Sequence, residues 1–287
     1  MSKRLAVVVV AILAATAACS QKGGSERASQ TRPPAPASAP APASTTSLPQ
    51  QQSTAAAPLP PSATPPATTM TNVPANRWSA VLIAGDNNSP AFDNGVESMR
   101  EKLAQRGVQQ IKVLSSNPAR APAGNLASSG NVRTALRGLA GGQACLAFIT
   151  THGEVKGAFL RPDRRFLDPA ALDSALQAGC GNAPTVVIVS ACHSGTFMTP
   201  EMRKPNRVIL TAAAKDRTSF GCGAKDLYTY YDQCLLQVMD QAQTWADVAA
   251  STRSCVENLE RTLAVRASSE PQVFLGQSVG TLRLPGR

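Results

Sequence analysis

An α/β fold with a mostly parallel sheet, helices on both faces, is the class this sequence predicts. Several short runs, such as residues 80–84 and 144–149, are apolar at every position, which a strand requires only when both its faces are buried. Between these runs lie segments whose apolar residues recur at helical spacing. Alternation of such strands and helices gives crossover units and a sheet with two covered faces.

The elements follow in order. Residues 78–85 read as a fully buried strand closed by a turn at Gly85. Val96, Met99 and Leu103 predict a helix over 92–106, with Gly107 as its C-terminal stop and Asp93 placed to cap its start. A second strand at 111–114 precedes a Pro/Gly/Ser-rich loop that runs to Gly130. Asn131 is the expected cap of a helix carrying Val132, Leu136 and Leu139, stopped by Gly141 and Gly142. Residues 144–150 form the next strand. Asp168-Pro169 opens a helix through Leu172, Leu176 and Ala178, Pro being favoured in a first turn. Strands at 185–191 and 207–213 and helices at 225–239 and 245–263 complete the set. No internal repeat is visible.

The N-terminal quarter is different in kind. Lys3 and Arg4 precede an apolar run from Leu5 to Ala17, the pattern of an export signal. The Thr16-Ala17-Ala18-Cys19 that follows resembles the lipobox of bacterial lipoproteins. That likeness implies a signal peptide over 1–19, lipidation of Cys19 and a membrane anchor, and Ser20 after the cysteine favours the outer membrane, facing the periplasm. Residues 20–75 are rich in Pro, Ala, Ser and Thr. Twelve of the 22 prolines fall between Pro33 and Pro74. With almost nothing large to bury, such a segment reads as a disordered tether. Residues 76–287 are enough for one domain with a sizeable core.

Charge narrows the function classes. Five of 28 basic and one of 18 acidic side chains precede residue 76, so the domain keeps 23 basic and 17 acidic ones. This mild excess is scattered among acids without interleaved aromatics, which argues against nucleic acid as a partner.

Chemistry concentrates at two strand ends. In open parallel sheets, ligands bind outside the carboxyl ends of the strands. The chain has two histidines, and both sit there, in Thr151-His152-Gly153 and Ala191-Cys192-His193-Ser194-Gly195. A thiol, with an ordinary pKa of about 8.5, attacks better beside an imidazole that favours the thiolate. Successive strand side chains point to opposite faces, so His193 is a poor base for Cys192 and suits a loop role. His152, from a neighbouring strand, can face the sulfur. The N–H groups of Gly153 and Cys192 can donate to a developing oxyanion, and Gly195 permits a sharp turn.

His-Gly after one apolar strand and Ala-Cys-x-Ser-Gly after another resemble the caspase, metacaspase and legumain clan, and most closely the legumain-like C13 peptidases. The likeness extends through "VLIAGDNNSPAFDNGVESMREKL", "ILTAAAKDRTSFGCG" and "YTYYDQCLL", covering most of residues 78–236 and little of the last fifty. It implies a caspase-like three-layer fold and a cysteine endopeptidase acting on peptides or proteins. In that role His152 is the general base, Cys192 the nucleophile, and the Gly153 and Cys192 N–H groups the oxyanion hole. Thr218 and Ser219 match pocket-wall positions. Two positions depart from the family: His193 stands where Glu is frequent, and Asp93 where an arginine reads the P1 residue. An acid at 93 favours Arg or Lys at P1 by charge complementarity.

Two rivals come from other classes. One is an inactive envelope lipoprotein that uses the same fold as a binding or scaffolding module. The other is a thiol redox protein, disfavoured because Cys192 lacks a resolving cysteine close in sequence. Zinc is not called for, since no CxxC or paired-His spacing occurs, and the peptidase chemistry that the resemblance implies needs no metal or organic cofactor. Cys145, mid-strand, reads as a buried hydrophobe. Cys180, Cys222, Cys234 and Cys255 then form an even set suited to an oxidising compartment. Cys222 with Cys234 and Cys234 with Cys255 are both open pairings.

Overall fold

The computed structural model describes residues 71–287. The expected signal peptide and Cys19, and nearly all of the expected tether, lie outside the described residues. The packed region starts ahead of residue 76: Val73 is buried, its carbonyl accepts from Trp78 Nε1 at 3.2 Å, and Thr71 O accepts from Arg283 N–H at 3.0 Å.

Six strands form the main sheet, in the order β2-β1-β3-β7-β8-β9. They are β1 (Trp78–Ala84), β2 (Gln110–Ser115), β3 (Ala144–Thr150), β7 (Thr185–Ser190), β8 (Arg207–Thr211) and β9 (Gln272–Leu275). All neighbours pair in parallel except β8 with β9. Every residue of β1, β3, β7 and β8 is buried, as their continuous apolar runs demand. Alternate residues serve two separate cores. Leu82, Leu146, Phe148 and Ile188 pack beneath helices α1 (Pro90–Gln105), α4 (Tyr230–Val238) and α5 (Trp245–Thr262). Val81, Ile83, Ala147, Val187 and Val189 pack beneath α2 (Ser129–Arg137) and α3 (Pro169–Cys180). This is the three-layer α/β arrangement that the alternation predicts.

The differences from the sequence expectation are local. Ser89, not Asp93, caps α1, with Pro90 at its first position. Ser128, rather than Asn131, caps α2, which ends at Arg137, ahead of the Gly141-Gly142 pair. Helix α4 starts at Tyr230, because Thr229 caps it and Asp226 closes a turn on Gly223 N–H instead of joining the helix. A small antiparallel sheet of β4 (Gly153–Glu154), β5 (Gly157–Leu160) and β6 (Arg165–Leu167) had no sequence signal, its strands being too short to show periodicity.

The cysteines also correct the reading. Cys145 is no lone hydrophobe: it is disulfide-bonded to Cys180, joining β3 to the end of α3 across the second core. Cys234 pairs with Cys255, joining α4 to α5, which removes the Cys222–Cys234 alternative. Replacing Cys234 and Cys255 by serine reopens a loop with a sequence separation of 21, at a cost of about 3 kcal/mol from released chain entropy. Calorimetry should show Tm lower by roughly 6–12 °C.

What the fold positions is a row of strand ends. Ala84 pairs with Thr150, and Thr150 with Ser190. Strands β1, β3 and β7 therefore stop on one rung, and the residues after them open on the same edge.

Candidate active site

His152 and Cys192 each lie two residues beyond that rung. Pairing continues one step further, with Thr151 N–H donating to Ser190 O at 3.1 Å. The two chains then touch through Gly153. A Cβ on that residue would stand 2.2 Å from the Cys192 carbonyl oxygen and 2.9 Å from the Ala191 Cβ. Glycine is needed here for close approach, not for an unusual φ. We expect Gly153→Ala to push the Cys192 backbone out of place and, on the expectation from sequence that Cys192 is a peptidase nucleophile, to lower kcat about 100-fold, the typical cost of a misplacement near 1 Å. Steady-state kinetics alongside a circular dichroism spectrum check it.

The His152 ring is held on two sides. Phe92 from α1 meets it edge-on, with ring centroids 5.2 Å apart. Its Nε2 lies 4.0 Å from Asp86 Oδ2, and the side chain is 16% exposed, whereas the Asp86 side chain is fully buried. Asp86 sits in the turn after β1. Its carboxylate accepts from Asn88 N–H at 2.8 Å, from Arg161 Nη2 at 3.1 Å and from Arg161 Nε. The buried acid is thus fixed by a guanidinium and presents its field to the imidazole.

Cys192 is buried and is outside the disulfides. Its Sγ accepts from Ser219 N–H at 3.2 Å and lies 3.6 Å from Ser219 O. The Ser219 backbone offers the sulfur a donor and an acceptor together. Ser219, expected as a pocket wall, thus meets the sulfur through its backbone, with half-buried Thr218 beside it. The loop after β8 that carries both is braced. Arg217 O accepts from His193 N–H at 2.8 Å, Ser269 O accepts from Ala214 N–H at 2.8 Å, and Arg217 pairs with Glu270 at 3.1 Å.

His193 turns into this loop, its Nδ1 3.0 Å from Lys215 O. The sharp turn after Cys192 falls on His193, at φ 57°, and not on Gly195. Gly195 is there for space: a Cβ would meet Lys215 N at 2.5 Å. Asp93 is not grouped with these residues. Its buried carboxylate accepts from Ser115 Oγ at 2.5 Å, tying α1 to the end of β2, the sheet's edge strand. It is engaged there rather than presented to solvent, where a P1 cation would meet it.

Sequence reasoning missed two acids. Asp86 had a signal, an acid at the carboxyl end of a buried parallel strand. Asp232 reads in sequence as part of a Thr-x-x-Asp helix start. Thr229 does cap α4, but the Asp232 carboxylate turns inward, where Thr150 Oγ1 donates to Oδ2 at 2.6 Å. Among the described residues no group of three or more His, Cys, Asp and Glu is placed to hold a metal ion, and no helix is long and apolar enough to cross a membrane.

The model of the Peptidase C13 family matches residues 143–267, a span that includes both strand ends. The segment 81–103, whose likeness to the family was read from sequence, precedes it. No curated protein matches. Among solved structures, caspase-1 from Spodoptera frugiperda aligns with a TM-score of 0.50 and 10% identity, over 70% of this chain and 86% of that one. At such identity the likeness shows the fold alone, and that fold is caspase-like. On residues 143–267 and the caspase-like three-layer fold around them, the likeness to the legumain-like C13 peptidases holds.

Proposed function

We propose that this chain is a cysteine endopeptidase in which Cys192 is the nucleophile and His152 the general acid and base. The observation that carries the reading is the shared rung of β3 and β7, with Gly153 packed on the Cys192 carbonyl. The Cys192 thiolate attacks a peptide carbonyl carbon, and the carbonyl oxygen takes the negative charge. The Gly153 and Cys192 N–H groups donate to that oxygen, since the His193 N–H already donates to Arg217 O. His152, as imidazolium, gives its proton to the amide nitrogen, the C–N bond breaks, and an amine leaves a thioester. Water then attacks the thioester while His152 takes its proton, which frees the carboxylic acid and restores Cys192. The chemistry needs no metal or organic cofactor.

The N-terminal sequence supports a location. We read the domain as tethered through a lipid on Cys19, at the outer membrane and facing the periplasm. The Cys145–Cys180 and Cys234–Cys255 disulfides suit such an oxidising compartment. Cys19→Ala should move the protein from the membrane to the soluble fraction on cell fractionation.

The enzymatic reading is tested by offering the protein a mixed peptide library and trapping the intermediate by acid quench. A thioester adduct on the Cys192 peptide in the mass spectrum supports it. Intact peptides and no adduct would favour the rival, a caspase-fold lipoprotein used as a scaffold.

A further inference from the structure

We propose that Asp232 is a positioning residue whose carboxylate draws together the strand ends that carry His152 and Cys192, so that the site tightens when Asp232 ionises. This rests on the peptidase reading for its catalytic meaning, while the geometry stands by itself. Thr150 is the last residue of β3 and Ser190 the last of β7. Thr150 Oγ1 donates to Asp232 Oδ2 at 2.6 Å. The Ser190 hydroxyl lies 3.2 Å from that of Thr229, the α4 cap, which in turn accepts from Asp232 N–H at 2.9 Å. One carboxyl therefore sits where β3, β7 and α4 converge, two residues below each reacting side chain.

The fourth wall is α1. A Cβ at Gly95 would stand 2.9 Å from Asp232 Oδ2, so α1 presses on the carboxyl without offering it a donor. Asp93, the acid in the same part of α1, is taken up by Ser115. Asp232 is fully buried, and among the described residues no lysine or arginine pairs with it. Tyr231, on the same helix, has its phenol pushed up by burial and by the Asp232 charge. The titratable groups that β3 and β7 carry nearby are His152 and Cys192, two residues past Thr150 and Ser190. Oδ1 has no hydrogen bond. A structural acid in a core is normally fully bonded or replaced by an apolar residue. This one is neither.

Burial pushes the Asp232 carboxyl up to about 6, against the pull of the Thr150, Ser190 and Thr229 hydroxyls, which favour the charged form. As a carboxylate it can only accept, so Thr150 at the end of β3 donates to it directly, while the Ser190 hydroxyl at the end of β7, held against Thr229, lies close enough to favour the charge. As a carboxylic acid it donates one proton itself, and that pull is lost. The folded state holds this proton more tightly than the unfolded chain does. The stability it contributes is present below the ordinary carboxylate range and is lost as pH rises through about 6.

The test measures kcat, KM, Tm and the rate of Cys192 alkylation by iodoacetamide between pH 5 and 8, in wild type, Asp232→Asn and Thr150→Val. Asn keeps the shape and the hydrogen-bonding capacity but not the charge. We expect kcat and the alkylation rate at pH 7.5 to fall about tenfold in Asp232→Asn, the cost of a fraction of an ångström in alignment. KM should stay within twofold. A step near pH 6 should vanish from both profiles, and Tm at pH 7.5 should hold or rise. Thr150→Val removes a donor to the charged form, so its step should move to higher pH. Unchanged alkylation and kcat, or losses that merely follow a falling Tm, would overturn the proposal. Absence of peptide cleavage in wild type, with the step in alkylation intact, would overturn the peptidase reading and leave the positioning role standing.

Discussion

Cys192→Ala is expected to lower kcat/KM on any cleaved peptide by about 10⁴-fold or more, with the substrate still bound. Loss of a nucleophile removes the covalent route entirely, and what remains comes from oxyanion donors and binding alone. Substitution should be mild for the fold, since Ala loses only a sulfur that meets the Ser219 backbone. Cys192→Ser tests the same point more strictly. A hydroxyl fits the space, but an imidazole partner suited to a thiol of pKa about 8.5 activates it poorly, so a loss of about 10³-fold or more is expected. Burst kinetics should show an acyl-enzyme phase in wild type alone. Cys145, Cys180, Cys234 and Cys255 are held in disulfides and cannot substitute as nucleophile. Either variant retaining more than a tenth of wild-type activity would mean that cleavage does not run through Cys192.

Much of this candidate site is legible in the sequence, for a physical reason. A strand buried on both faces advertises itself by continuous apolar sequence, and such strands end where polarity returns. Thr150-Thr151-His152 and Ser190-Ala191-Cys192 both make that transition, so pattern put His152 and Cys192 at strand ends. One sheet edge followed on the condition, met by the pairing of β3 with β7, that the two strands are neighbours. What sequence could not reveal was direction. Asp93 and Asp232 both look like helix-start acids. One is spent on Ser115 and the other turns into the sheet, a choice made by packing against β2 in one case and against Gly95 in the other. Asp86 lies in an Asx-type turn, and only the distant Arg161 shows that its carboxylate is fixed rather than solvated. The β4–β6 sheet escaped because two- to four-residue strands carry no period. Cys145 escaped because a half-cystine in a buried strand has the same neighbours as a hydrophobe.

On the proposed peptidase reading, the two missed acids divide the labour around His152 and Cys192. Asp232 acts from below, on the strand ends, and Asp86 from the side, on the imidazole. Neither needs to touch substrate. An arrangement of this kind makes the separation of ring and sulfur depend on backbone bonds and buried charge instead of on the two reacting side chains, whose own rotamers are then held by their surroundings.

His152→Ala is expected to cut kcat by about 10³-fold, within the span usual for a general acid and base. Two losses contribute. The leaving amine goes unprotonated, and the thiolate loses its cationic partner. The second loss has its own signature in pH. Without the imidazole, the residual rate should track an isolated thiol and climb until about pH 8.5, whereas wild type should level off earlier. Asp86→Asn provides the comparison. With Nε2 and Oδ2 4.0 Å apart, the acid attracts the imidazolium without a close hydrogen bond. Arg161 already offsets much of the acid's charge, so its removal should cost about tenfold, well below the ~4 kcal/mol of a full unit-charge pair at 4 Å and an effective dielectric of 20. Because Asp86 acts through His152, the double variant should be no slower than His152→Ala alone. Additive losses would place Asp86 on a separate task. A His152→Ala enzyme that keeps a tenth of its activity and the wild-type pH profile would remove the imidazole from the mechanism altogether.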